Sequence, residues 1–143
     1  MIDINQINKP FSVLIPDGES GLALNVIHCL GKVKYATIYV LSNTPITKIR
    51  YSRHTKYFFS YQEEKTKKLD AIKDLLTKNK IDIVLPLDES TIRLISEHSN
   101  EISRLTSIAP FPKTDIFDIV INKWLFSIWL KKYLPSAINI CSC

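Results

Sequence analysis

Residues Phe11-Ser-Val-Leu-Ile-Pro-Asp-Gly-Glu-Ser-Gly21, running into Leu22-Ala-Leu-Asn-Val-Ile-His-Cys-Leu-Gly31, decide the fold class. Phe11 to Ile15 is a short apolar run closed by Pro16-Asp17-Gly18, which reads as a buried strand and its turn. Leu22, Leu24, Val26, Ile27 and Leu30 then recur at helical spacing until Gly31 stops them. Outward from this strand-loop-helix the alternation repeats. Residues 36–41 (ATIYVL) and 57–61 (YFFSY) predict strands, residues 63–80 an amphipathic helix, and 81–87 (IDIVLPL) a fourth strand. A helix starting at Asp88-Glu-Ser-Thr follows, with Asp88 or Ser90 as its N-cap and Ile92, Ile95 and Ile102 as its buried stripe. A last short strand is expected at 106–111 and helix again at 115–134. Strands separated by helices imply right-handed βαβ crossovers, hence an α/β, doubly wound, mostly parallel sheet of about five strands with helices on both faces.

The chain has 143 residues, 45% apolar and 23% charged, enough for a self-sufficient core and too apolar for a disordered or low-complexity polymer. No stretch approaches a membrane span, and the N-terminus lacks the basic-then-apolar pattern of a signal peptide, so a cytoplasmic protein with no membrane partner is expected. The three cysteines (Cys29, Cys141, Cys143) are odd in number and offer no disulfide framework or four-ligand zinc site. His28, His54 and His98 are too dispersed to suggest a metal, His28 and His98 being placed in helices and His54 in a basic loop. The net charge of +5 is uneven: no acid lies between Glu19 and Glu63, an interval holding Lys32, Lys34, Lys48, Arg50, Arg53 and Lys56. Such a patch suits a phosphorylated ligand or simply a solvated edge; no nucleic-acid motif accompanies it, so no nucleic-acid partner is expected.

In doubly wound sheets ligands lie at the carboxyl ends of the strands where strand order reverses, which selects the loops 16–21 and 86–90. Asp17, Gly18, Glu19, Ser20 and Gly21 precede a helix N-terminus. The loop is compatible with an anion cradle or with a tight turn in which Ser20 caps the helix. It matches neither GxGxxG nor a P-loop nor a Gly-x-Ser-x-Gly elbow. Asp88 and Glu89 either orient an amine or cation or cap their own helix. From Asp115 to Tyr133 the apolar residues cover nearly every direction around the axis, which demands burial on several sides, and Asn122-Lys123 marks a break between two helices. Residues 136–141 read as the start of a strand.

The ordered set Val-Leu-Ile-Pro-Asp-Gly-Glu (13–19), a helix ending in Leu30-Gly31, Tyr51-Ser-Arg-His54, Ile-Asp-Ile-Val-Leu-Pro-Leu-Asp-Glu (81–89) and Asn-Lys-Trp-Leu-Phe-Ser-Ile-Trp-Leu (122–130) resembles the start of an ATP-grasp ligase of the carbamoyl-phosphate-synthase-like kind. The resemblance covers about residues 11–141. It implies an N-terminal extension over 1–10, a Rossmann-like pre-ATP-grasp domain over 11–115, and the opening of an ATP-grasp domain over 116–143. It also implies a parent enzyme that phosphorylates a carboxylate with ATP and Mg2+ and passes the acyl group to an amine or thiol. Asp17 to Gly21, Asp88, Glu89 and Arg53 are then candidates for the substrate crevice. Lys123 is the candidate nucleotide contact in the full-length protein, with Asn122 standing where the family usually has Asp. The family's second nucleotide lysine, its lid and its magnesium cluster would all follow residue 143. The chain alone is therefore expected to be inactive, without catalytic residues, cofactor or metal of its own. Its partners would be the remaining ATP-grasp domain in cis and small carboxylate and amine substrates, with homodimerisation through the C-terminal aromatic helix. The alternative is a self-sufficient Rossmann-like small-ligand binding or dimerisation module.

Overall fold

The structure is a computed structural model that describes residues 9–112 and 114–134. It divides into two units, Met1–Ala109 and Pro110–Cys143. In the first unit β1 (Phe11–Ile15), β2 (Ala36–Ser42), β3 (Tyr57–Ser60), β4 (Ile83–Val84) and β5 (Ser107–Ile108) form one five-stranded sheet in the order β3-β2-β1-β4-β5. Every neighbouring pair is parallel, so the fold is a Rossmann-like α/β sheet with no antiparallel edge. The crossovers carry α1 (Ala23–Leu30), α2 (Lys68–Lys78), α3 (Glu89–Glu97) and α4 (Ser99–Ile102), and a 3-10 turn at Lys48–Tyr51.

β1 is the central strand, and the two-residue period of a strand divides its side chains between the faces. Val13 and Ile15, with Ile38 and Val40 of β2, pack on Ala23 and Ile27 of α1 and on Ile49. Leu14 and Leu41 turn the other way, onto Ile72, Leu75 and Leu76 of α2, Ile95 of α3 and Ile102 of α4. Two helical layers thus cover one sheet, and a strand buried on both faces has no need of polar alternation. At the amino end of the sheet the Asp82 carboxylate accepts from the Ser12 amide (2.7 Å) and hydroxyl (2.7 Å), pinning β4 beside β1.

Several elements are shorter than the sequence pattern predicts. The helix expected over 63–80 starts at Lys68, because Glu63 to Lys67 offer no apolar side chain to bury and the chain instead turns through bonds from the Lys65 and Thr66 amides to the Gln62 carbonyl. β4 keeps only Ile83–Val84, since Pro86 supplies no N–H to extend the ladder, and Pro110 similarly limits β5 to Ser107–Ile108. The helix after Asp88 breaks at His98, which lies between α3 and α4 rather than within a helix. In its stripe Ile95 and Ile102 are buried, but Thr91 takes the place expected of Ile92.

In the second unit α5 (Thr114–Ile121) and α6 (Lys123–Tyr133) are separated at Asn122, whose side chain accepts from the amides of Trp124 (3.0 Å) and Leu125 (3.1 Å) and caps α6. The burial expected for these helices is not found: neither contains a buried residue, and Trp124 is 74% exposed. The strand expected at 136–141, Cys141 and Cys143 lie outside the described residues. No helix among the described residues is long and apolar enough to cross a membrane.

Candidate functional site

The strand order reverses between β1 and β4, so the loops leaving their carboxyl ends run to helices on opposite faces of the sheet, the point at which ligands bind in folds of this class. Asp17, the second residue after β1, is fully buried at this point. Its Oδ1 accepts from the Lys68 ammonium (2.6 Å) and the Thr91 hydroxyl (2.5 Å), and its Oδ2 from the amides of Leu87 (2.7 Å) and Asp88 (3.2 Å). The carboxylate therefore binds the first loop to the second loop and to the starts of α2 and α3. Burial pulls the Lys68 ammonium down, but the bond and charge of Asp17, with Glu19 behind it, outweigh burial and hold its pKa above the ordinary lysine value.

Around this anchor the sequence candidates assemble unequally. Gly18 is buried where its amide donates to the Leu41 carbonyl (2.9 Å), and a β-carbon there would lie 2.7 Å from Val40 Cγ1. Glu19 sits on the rim, accepting from Lys68 (3.1 Å) and from the Asn43 amide (3.3 Å). The Ser20 hydroxyl donates to Asp88 Oδ1 (2.7 Å) and accepts from the Leu22 amide (3.3 Å). Leu22, not Ser20, occupies the N-cap position of α1; Asp88 does occupy the N-cap position of α3, but its carboxylate is turned toward Ser20 and makes no cap bond to the helix. Glu89 turns along its helix to pair with Arg93 (3.1 Å). A groove of about 390 Å3 lies beside Gly18 to Gly21, bordered by Leu24, Thr47 and Lys48. Thr47 Oγ1 is buried there without a hydrogen-bond partner among the described residues.

Arg53 does not join this cluster. It lies in a second groove with His28, Lys32, Lys48 and His54, which shares only Leu24 and Lys48 with the first. Lys123 is the exposed first residue of α6. Lys68, Thr91 and Thr47 escaped the sequence reading. For Lys68 the signal emerges only with the true start of α2: a lysine in the first turn of a helix faces the positive end of the dipole, an unfavourable place unless a carboxylate waits there.

Among the described residues no group of three or more His, Cys, Asp or Glu side chains is placed to hold a metal ion, and both Asp17 oxygens are engaged by protein donors. Glu19, Ser20, Thr47 and Lys48 line the groove beside this anchor, and Asp88 adjoins it through its bond from Ser20. No family model, no curated protein and no solved structure matches the chain.

Proposed function

We propose that this chain is the N-terminal piece of an ATP-grasp enzyme, a pre-ATP-grasp domain followed by the first helices of the ATP-grasp part, and that it is inactive by itself. The observation that supports this reading best is the meeting of the Pro-Asp-Gly-Glu and Pro-Leu-Asp-Glu loops at the switch point of the sheet, tied together through Asp17. In the proposed parent, Glu19, Ser20 and Asp88 position a carboxylate or amine substrate, and ATP with its magnesium is held by residues following this chain, with Lys123 contributing a nucleotide contact. The uncovered faces of α5 and α6 then belong against those further domains. In their absence, two copies pair through Trp124, Trp129 and their neighbours.

Three observations test this. Calorimetry of the 143-residue chain should show no Mg-ATP binding at millimolar concentration, and sedimentation should show a dimer, since α6 leaves Trp124, Phe126, Trp129 and Tyr133 exposed and a large exposed apolar patch marks an association surface. The coding sequence beyond codon 143 should continue with a lysine-bearing strand, a glycine-rich lid and a late Glu-x-Asn pattern. A native stop codon there, or tight ATP binding by this chain, overturns the reading in favour of a self-sufficient binding module.

A further inference from the structure

The second groove, of about 640 Å3, is lined by His28 of α1, Lys32 just beyond it, and Lys48, Tyr51, Arg53 and His54 of the loop between β2 and β3. Its size is within the range of small-molecule sites, and no carboxylate lines it. Among the described residues no carboxylate pairs with Lys32, Lys48 or Arg53, although ion pairs are plentiful on α2, α3 and α4. Three cations facing one concavity without counter-charge repel one another, a cost that a bound anion removes.

The Arg53 side chain is arranged in a particular way. Its Nε donates to His54 Nε2 (3.2 Å), which leaves both terminal nitrogens of the guanidinium without a protein acceptor among the described residues. A guanidinium braced at Nε and unspent at its terminal nitrogens retains the donors with which arginine grips phosphate oxygens. His54 is itself held at the groove wall, edge-on to His28 (ring centroids 5.7 Å apart) and against Gly31, where any β-carbon would overlap its ring. Tyr51 adds an aromatic side chain that is 75% exposed.

We propose that this groove binds a small phosphorylated ligand carrying at least two negative charges, gripped by Arg53, Lys48 and Lys32. The proposal does not depend on the ligase reading. A nucleic-acid strand is the less favoured occupant, because three of the six cations of the acid-free interval, Lys32, Lys48 and Arg53, converge on one concavity instead of forming a track. Of the other basic residues in the acid-free interval, Arg50 donates to the Pro45 carbonyl and lies over the Phe58 ring, and Lys34 lies over the Tyr35 ring.

The test is calorimetric titration of the full chain with inorganic pyrophosphate and, separately, with a single-stranded RNA oligonucleotide. It is repeated on Lys48→Gln/Arg53→Gln and on a charge-matched control, Lys34→Gln/Lys56→Gln. All four side chains are solvent-facing, and circular dichroism confirms that each variant folds. Saturable one-to-one pyrophosphate binding is expected, weakened at least about tenfold in the groove variant and less than about twofold in the control. Equal loss in both variants, no saturable binding up to ~10 mM, or RNA bound more tightly than pyrophosphate at ~0.15 M salt overturns the proposal.

Discussion

Asp17 shows how far one side chain can be committed to architecture while sitting where a ligand is expected. With four donors converging on it, Asp17→Ala leaves an ammonium, a hydroxyl and two amides without their acceptor, and a loss of about 3–5 kcal/mol is expected in urea unfolding. Thr91→Val removes one donor and keeps the packing, so the expected loss is nearer 1 kcal/mol. Were Asp17→Ala to cost no more than Thr91→Val, the carboxylate would not be the clamp described. The glycines nearby give a contrasting pair. Gly18→Ala drives a β-carbon into Val40 and Ser42 and should cost about 1–3 kcal/mol, whereas Gly21, with nothing within 4 Å, should accept alanine with a change below about 0.5 kcal/mol. Similar midpoints for the two variants in parallel urea titrations would refute the close approach.

Asn122 illustrates the same economy at the level of a helix. Its side chain satisfies two amides at the start of α6, so Asn122→Ala should destabilise that helix by about 1 kcal/mol, while Asn122→Asp should preserve it; the helical signal in circular dichroism during thermal melting distinguishes them. This break was legible in the sequence, as were β1, β2, α1 and the doubly wound class, because apolar period and Pro or Gly punctuation are local properties. The limits of α2, β4 and β5 were less legible. They depend on which residues find something to bury and on prolines that deny the sheet a donor. That the 16–21 and 86–90 loops meet follows from the sheet topology, but the role of Asp17 was not visible: its partners lie 51 to 74 residues away, and no local pattern announces a carboxylate that faces inward. Arg53 was grouped with the crevice on resemblance alone, and the loop carrying it packs instead beside the end of α1.

Across the whole chain, charge makes stability depend on pH at both ends. Burial, with Glu19 and Glu63 adding to it against the opposing Lys68, pushes the Tyr61 hydroxyl up to about 12. An unfolded tyrosine loses its proton near 10, so Tyr61 contributes stability that is complete below pH ~10 and is lost as pH rises toward the folded value; the raised Lys68 acts in the same sense. Glu101 works at the opposite limb. Its bond to Lys73, then that to His98, lowers its pKa, so its contribution is present above the ordinary glutamate value and is lost as pH falls through the folded one. Urea midpoints from pH 3 to 11 should therefore fall at both extremes, with Tyr61→Phe flattening the alkaline limb and Glu101→Gln the acid limb; unchanged limbs in these variants would contradict the assignment. The strand order also has a meaning in time. A ribosome delivers β1, β2 and β3 first, but the other side of β1 and the partners of Asp17 on the second loop and α3 arrive only with residues 83 to 91. Until then the growing sheet ends at its most apolar strand, with an open edge on offer to chaperones or to a neighbouring nascent chain, so that a translational pause before Thr91 is the moment of greatest exposure to misassembly.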